Sequence, residues 1–425
     1  MPPKRPSFLI IVADDLGFSD ISPYGGEINT PVLEKFAKDG IRMTNLHTAS
    51  ACSPTRSVLF SGTDNHIASL GQMFEHMRRF GDYFKYEPGH EGYLNWRVEA
   101  LSEILQDVGY HTIMSGKWQA VKGHWMDGDS FINHRTDVPE DFYSTGCFTD
   151  CMITLLEERT DAEKEKPFFA YHLFTALHWP LQAPREVYDG GPDALTQRRL
   201  QRLVELGLVD QGIEQAPPTG VVDKEWKDMT DLERKESARK MEVFAAMVEL
   251  ADENIGRVIE HLTSTGELDN TSILFMSDNG AEGAALEAIP MMGGETTFAG
   301  VVHKYYDNSL DNIGDKSSFA WYGARWASAA TAPSRRSKCW VTEGGIRCPC
   351  VIRYPPFQAK PEEAITHRFT SVMDILPPTL ELARSWVGHL SSPDHAAPVS
   401  TVHGEGVHGW ELFGLRAIRE GKCTE

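Results

Sequence analysis

Short apolar runs alternate with helical patterns along most of the chain. Residues 8–12 form an unbroken apolar run that two aspartates follow, which is typical of a buried strand. Further strands are predicted over residues 41–46, 110–115, 167–173 and 271–276. This alternation predicts an α/β fold, in which a central sheet is sandwiched by helices.

The helical patterns carry start and stop signals. Helices are predicted over residues 31–39, 97–107 and 232–262, and the longest loops over residues 290–308 and 391–409. The first helix has Thr30 as an N-cap candidate, Pro31 in its first turn and Gly40 just past its end. The longest helix repeats apolar residues at alternating spacings of four and three, so one of its faces is expected to pack on the sheet.

Composition limits the possible partners and compartment. The chain has 425 residues, of which 41% are hydrophobic, so it can bury a large core. Its 61 acidic and 41 basic residues give a net charge of −20, which argues against a nucleic-acid partner. No apolar run approaches the roughly 20 residues of a membrane span. The seven cysteines are an odd number, and no signal peptide is recognisable, so we expect a cytoplasmic protein. The composition does not determine the oligomeric state.

Two pairs of side chains with ligand oxygens follow predicted strands. Asp14 and Asp15 come directly after the first strand, and Asp278 and Asn279 come after a later one. The carboxyl ends of strands in an α/β sheet are where sites assemble, so these distant segments can converge. Three carboxylates and an amide oxygen suit Ca²⁺ or Mg²⁺ better than zinc. An aspartate pair after a strand is also a common turn or helix cap, and the residues alone leave both interpretations open.

The segment Cys52-Ser-Pro-Thr-Arg56 carries a second chemical signal. It opens a helical pattern, and proline is tolerated in a first helical turn. Cys52 would then lie at the positive end of a helix, with Arg56 one turn further along the same face. A thiol or its derivative there can attack an anion that Arg56 holds. A lone cysteine is equally consistent with a small buried apolar side chain.

Residues 50–62 as a whole resemble the motif of the type I sulfatases, whose cysteine is oxidised to formylglycine during synthesis. Other segments resemble the same family and occur in the family's order: residues 11–17, 116–118, 178–180, 277–280, Lys338 and residues 344–347. The resemblance covers most of the chain and is nearest to the bacterial and fungal cytosolic arylsulfatases. It implies an α/β/α sandwich like that of alkaline phosphatase, with a mostly parallel mixed central sheet.

The resemblance also implies a reaction. The chain would be a sulfuric ester hydrolase that cleaves aryl or small alkyl sulfate monoesters, with the hydrated formylglycine as the nucleophile. A formylglycine-generating enzyme would convert Cys52 during synthesis. One divalent cation, Ca²⁺ in preference to Mg²⁺, would be bound by Asp14, Asp15, Asp278, Asn279 and the converted Cys52. The sulfate oxygens would be held by Arg56, Lys117, His178 and Lys338, and His178 or Lys338 would protonate the leaving oxygen.

Three departures from the family pattern affect these expectations. Gln119 stands where the family has a histidine that helps to release sulfate, and glutamine cannot take up a proton. Release would then slow, on the order of 10²–10⁴-fold. Residues 119–168 are shorter than in similar arylsulfatases. Residues 416–421 resemble a strand that in the family continues into a small C-terminal sheet, whereas here Glu425 follows soon after.

From these departures we predict a catalytic domain over residues 1–385 and, over residues 386–425, the remnant of a C-terminal subdomain that is otherwise largely missing. Two alternative functions stay open. The chain can be a phosphonate or phosphodiester hydrolase of the same superfamily, because the metal, nucleophile and anion-binding residues would look alike. It can also be a catalytically impaired, truncated paralogue.

Overall fold

A mixed eight-stranded sheet runs through the middle of the molecule. The computed structural model describes residues 5–117, 125–127, 130–132, 142–182, 191–218, 224–283, 298–356, 364–384, 407–420 and 423–424. In chain order the strands are β1 (Ser7–Ala13), β2 (Ile41–His47), β3 (His111–Gly116), β4 (Trp125–Asp127), β5 (Ser130–Ile132), β6 (Phe168–Leu173), β7 (Thr271–Ser277), β8 (Arg347–Arg353), β9 (Ile365–Thr366), β10 (Thr370–Ser371), β11 (Val407–Leu412), β12 (Leu415–Glu420) and β13 (Cys423–Thr424).

The main sheet has the strand order β10-β2-β8-β7-β1-β6-β3, and β9 also pairs with β2. Strand β8 is antiparallel to both its neighbours, and the other pairs are parallel. Strand β1 is central, where Ile10 is paired with Tyr171 on one side and Leu274 on the other. The mostly parallel mixed sheet predicted from the sequence is therefore confirmed.

Helices lie on both faces of this sheet. In chain order they are α1 (Pro31–Asp39), α2 (Cys52–Ser61), α3 (Phe74–Arg79), α4 (Gly81–Phe84), α5 (Leu101–Asp107), α6 (Ser144–Glu157), α7 (Asp161–Lys164), α8 (Gly191–Glu205), α9 (Asp231–Ser264), α10 (Phe298–Tyr305), α11 (Ala324–Ala330), α12 (Glu343–Ile346) and α13 (Leu376–Arg384). Among the helices in the described residues, none is both long and apolar enough to cross a bilayer.

Alternate residues of β1 belong to two separate cores. Leu9 and Ile11 lie in the core that contains the apolar face of the 34-residue helix α9. Ile10 and Val12 lie in the opposite core, with apolar residues of α2, α5 and α13. Successive side chains of a strand point to opposite faces, so a strand buried on both sides joins two helical layers into one sandwich.

Three local predictions need correction. The helix predicted over residues 97–107 begins only at Leu101. There the Glu103 side chain accepts a hydrogen bond from the Ala100 N–H and caps the N-terminus of the helix. The predicted loops over residues 290–308 and 391–409 contain α10 and the start of β11.

The start of α1 is capped by a distant residue. Thr30 makes no capping bond, since its hydroxyl accepts from the Ser22 N–H instead. The Asp252 carboxylate, on α9, accepts hydrogen bonds from the N–H groups of Val32 and Leu33 at 3.0 and 2.9 Å. The cap therefore also joins α1 to α9.

Strands β11, β12 and β13 form an antiparallel sheet, called here the C-terminal sheet. Residues 416–421, which resemble a family strand, fall largely in its middle strand, β12. The Trp410 indole N–H of β11 donates to the Thr48 carbonyl at 3.0 Å, and the Arg419 guanidinium lies 4.2 Å from the centre of the Phe369 ring. The division of the chain into residues 1–385 and 386–425 stays a prediction.

Candidate active site

The segments that follow five parallel strands converge at one edge of the main sheet. Those after β1, β2, β3, β6 and β7 carry, respectively, Asp14 with Asp15, Cys52, Lys117, His178, and Asp278 with Asn279. The antiparallel strand β8 begins at this same edge, and Lys338 lies in the segment before it. The structure thus brings together every residue that the sequence predicted for the site. Gln119, which bears on turnover, lies outside the described residues.

Close backbone contacts hold two of these segments together. The Gly280 N–H donates to the Gly345 carbonyl at 3.0 Å. A Cβ atom on Gly280 would lie 1.8 Å from the Gly344 carbonyl oxygen, so a larger residue does not fit there. This packing places the segment that carries Lys338 directly against the one that carries Asp278.

Three buried carboxylates surround the Cys52 thiol. The ligand atoms of Asp14, Asp15, Asp278 and Cys52 all lie within 4.8 Å of one another. Cys52 Sγ is 3.1 Å from Asp14 Oδ1 and 3.8 Å from Asp15 Oδ1. Asp15 has a φ of 70°, a left-handed conformation that is uncommon for a residue with a side chain, and such strain often occurs at functional sites.

Asn279 can add an amide oxygen to these three carboxylates. Its Nδ2 donates to Asp15 Oδ1 at 2.8 Å. Its Oδ1 is buried and accepts no hydrogen bond within the described part of the chain. A buried oxygen without a partner is costly, and a bound cation would supply one. The three carboxylates and this oxygen therefore fit a hard divalent cation such as Ca²⁺.

Three permanent cations face the carboxylates. The Arg56 guanidinium contacts Asp278 at 2.6 Å and Asp14 at 3.3 Å. The Lys117 ammonium contacts Asp14, and that of Lys338 contacts Asp15 at 2.8 Å. Each of these cationic side chains is largely buried and is held by its contact with a carboxylate. This arrangement is suited to binding an anion.

His178 lies at the side of this cluster. Its Nε2 is 3.7 Å from Asp15 Oδ2, and its Nδ1 is 2.8 Å from the carbonyl oxygen of Trp179. Because a carbonyl oxygen can only accept, Nδ1 carries hydrogen, and Nε2 carries one only when the ring is charged. His178 can therefore donate a proton from Nε2 as an imidazolium, with Asp15 as the nearby counter-charge.

Burial and neighbouring charges shift the acidities in opposite directions. Burial favours a raised pKa for Asp14, but Lys117 and Arg56 outweigh it and hold the pKa well below its usual range. Burial raises the pKa of Asp15 to about 7, against the opposing effect of Lys338. Burial and the negative charges of Asp14 and Asp278 raise the pKa of the Cys52 thiol well above its usual value. These effects favour the protonated thiol, which is a weaker nucleophile than the thiolate.

The sequence analysis missed one residue of the cluster, Glu282. Its carboxylate is buried and lies 3.0 Å from the Lys338 ammonium. It also forms a group with Asp15 and His178 whose ligand atoms lie within 4.8 Å of one another. The available signal was its position, four residues after Asp278 and close to the end of β7.

Comparison with known proteins agrees with this geometry. The family model described as Sulfatase matches residues 6–385. An uncharacterized sulfatase of Schizosaccharomyces pombe is 49% identical to the chain over 98% of its residues and 84% of the relative's length. An arylsulfatase of Klebsiella aerogenes is 33% identical over 89% of this chain and 87% of the relative. A protein solved in complex with its substrate, D-glucosamine-2-N,6-O-disulfate, has the same fold, with a TM-score of 0.56, 19% identity and coverage of 98% of this chain and 87% of that one.

Proposed function

The chain belongs to the sulfatase family, and we propose that it cleaves aryl or small alkyl sulfate monoesters with formylglycine formed from Cys52 as its nucleophilic residue. As a family member it is a sulfuric ester hydrolase of the arylsulfatase type. One observation supports the proposal that Cys52 is converted to formylglycine. Cys52 is buried between carboxylates that can bind a cation and cationic side chains that can bind an anion. A protonated thiol is a poor nucleophile in this position, whereas a hydroxyl group of hydrated formylglycine would be a suitable one.

A divalent cation, preferentially Ca²⁺, would be held by Asp14, Asp15, Asp278 and Asn279 together with the oxygen that replaces Cys52 Sγ. The chemistry it supplies there is Lewis-acid stabilisation of negative charge. The site formed by these residues, called here the pocket, holds four carboxylates, counting Glu282, and the cations Arg56, Lys117 and Lys338. A dication and an anionic ester together keep that balance close to neutral, which supports the joint binding of both.

The residues of the chain would then divide the remaining work. Arg56 and Lys117 hold the sulfate oxygens and neutralise the charge that develops on them. Lys338 and His178 lie on the Asp15 side of the pocket, where each can donate a proton to the leaving oxygen. A formylglycine-generating enzyme would be required during synthesis.

Peptide mass spectrometry tests the conversion directly. In protein from a host that contains the converting enzyme, we expect the peptide spanning residues 50–56 to carry an aldehyde in place of the thiol. Cys151→Ala is the matched control, because that cysteine is exposed on α6 and should leave the conversion unchanged. Unmodified cysteine in active protein would disprove the formylglycine proposal.

Parallel assays with p-nitrophenyl sulfate and an aryl phosphodiester test the reaction class. We expect hydrolysis of the sulfate that is lost in Cys52→Ala and after chelation of divalent cations. Preference for the phosphodiester would instead support the phosphohydrolase alternative. One burst of nitrophenol without turnover would show that Gln119 limits release, and Gln119→His should then restore turnover by about 10²–10⁴-fold.

A further inference from the structure

Glu282 and Lys338 are brought together by backbone contacts as well as by their charges. The Lys338 N–H donates to the Ala281 carbonyl at 3.0 Å. A Cβ atom on Gly283 would lie 2.4 Å from Ser337 Oγ, so the two segments are packed as closely as glycine allows. The side chains of Glu282 and Lys338 therefore meet beside a close backbone contact, where they form a 3.0 Å ion pair.

Lys338 is shared between two carboxylates with different roles. Its ammonium group contacts Asp15 at 2.8 Å and Glu282 at 3.0 Å, and it has three N–H donors. Asp15 belongs to the group that fits a divalent cation, whereas Glu282 lies outside that group. A cation on Asp15 would repel the Lys338 ammonium. Among the residues that the structure describes, Glu282 is the buried carboxylate that contacts Lys338 from outside the cation-binding group.

We propose that Glu282 is a positioning residue, which holds the Lys338 ammonium beside the leaving oxygen of the sulfate ester while Asp15 binds the cation. This inference rests on the proposed function. Lys338 contacts both Asp15 oxygens, at 2.8 and 2.9 Å, as well as Glu282. When Asp15 binds the cation, Glu282 would keep the ammonium in place, and an N–H released from Asp15 becomes available to the leaving oxygen. His178 Nε2 lies near the same two carboxylates, so both candidate proton donors are on the side of the pocket that Glu282 organises.

A series of aryl sulfates whose leaving phenols differ in acidity tests this role. Glu282→Gln keeps the shape of the side chain and removes its charge. We expect kcat to fall about 10- to 100-fold for the least acidic phenol and little for the most acidic one, with small changes in KM, because a poor leaving group depends most on proton donation. Glu282→Asp, which keeps the charge on a shorter side chain, should recover part of the loss.

A double-mutant cycle with Lys338→Met separates this effect from a loss of folding. If Glu282 acts through Lys338, Glu282→Gln should cause no further loss in the Lys338→Met background. Glu253→Gln is the matched control, because Glu253 is an exposed carboxylate on α9 and its variant should keep the wild-type dependence on the phenol.

The outcomes distinguish this proposal from the broader one. Equal losses for all phenols in Glu282→Gln, or additive losses in the double variant, would overturn the positioning role while leaving the sulfatase function intact. Failure of wild-type protein with a converted Cys52 to hydrolyse any of the sulfates would instead overturn the proposed function.

Discussion

The charged pocket and the C-terminal sheet meet next to the segment that leads into Cys52, but they are stabilised differently. In the pocket, Asp14 and Arg56 are both almost fully withdrawn from water, and each faces an opposite charge. In the C-terminal sheet, Glu411 contacts the partly exposed His66 at 3.0 Å, and Leu415 and Ile418 are substantially exposed.

This difference determines what a lost contact costs. Removing one charge from the pocket leaves its partner buried without compensation, which is strongly destabilising. At the partly exposed contact between Glu411 and His66, water can take the place of a lost partner, so less is lost. The pocket therefore tolerates few residue types at each position, whereas many sequences can form the contacts of the C-terminal sheet.

Paired arginine substitutions give the largest contrast between the two regions. Arg56→Met removes the charge between Asp14 and Asp278 and should lower the free energy of unfolding by about 3–5 kcal/mol, as well as abolish sulfate ester hydrolysis. Arg419→Met, in β12, removes a guanidinium from above the Phe369 ring and should cost about 0.5–2 kcal/mol with activity retained. Denaturant unfolding and p-nitrophenyl sulfate hydrolysis measure both effects.

Arg56→Lys is the control for this pair, because it keeps the charge but cannot reach two carboxylates with one planar group. It should recover part of the stability and little of the activity. Equal losses of stability in Arg56→Met and Arg419→Met would remove the distinction between the two regions.

A divalent cation should stabilise the pocket without affecting the C-terminal sheet. Three carboxylates within one ligand group repel each other, and a bound Ca²⁺ relieves that repulsion. At 100 times its dissociation constant, Ca²⁺ should add about 2.7 kcal/mol of stability relative to chelated protein, detectable as a higher Tm. Asp278→Asn should largely remove this gain, and Arg419→Met should keep it. An equal gain in Asp278→Asn would place the cation elsewhere.

Much of the pocket was predictable because its chemistry demands particular residues at strand ends. Asp14 and Asp278 follow β1 and β7 directly, and parallel strands bring their carboxyl ends to one edge. Glu282 was not predicted because it lies beyond the strand end. There the direction of a side chain depends on contacts such as that between Gly283 and Ser337.

Other features depended on long-range contacts that periodicity does not encode. Thr30 occupies the predicted N-cap position of α1, but the capping hydrogen bonds are accepted by Asp252 on α9. The sequence placed Cys52 correctly at a helix N-terminus, but it could not show that burial, together with carboxylates from distant strands, raises the pKa of its thiol. Local sequence patterns therefore predicted the helices and strands, whereas the pKa values of the site residues depend on tertiary contacts.

The smallest predicted effect is a pH dependence confined to the edge of the C-terminal sheet. His66 contacts Asp64 through Nδ1 at 3.1 Å and Glu411 through Nε2 at 3.0 Å, and these hydrogen bonds raise its pKa against the effect of burial. A histidine whose pKa is raised by folding contributes stability that is complete below its unfolded pKa, near 6.5, and is lost as the pH rises through the folded value. The contact with Glu411 should therefore weaken above neutral pH.

The loss should be at most about 1 kcal/mol, because His66 is partly exposed and water screens the pair. Gln72 limits it further, since its amide also donates to Glu411 at 2.8 Å and does not titrate in this range. Hydrogen exchange, corrected for intrinsic rates, should show lower protection of the β11 and β12 amides at pH 9 than at pH 6, and no such change in β1. Glu411→Gln should flatten this dependence. Equal protection at both pH values in the wild type would show that the uncharged contacts alone hold the C-terminal sheet in place.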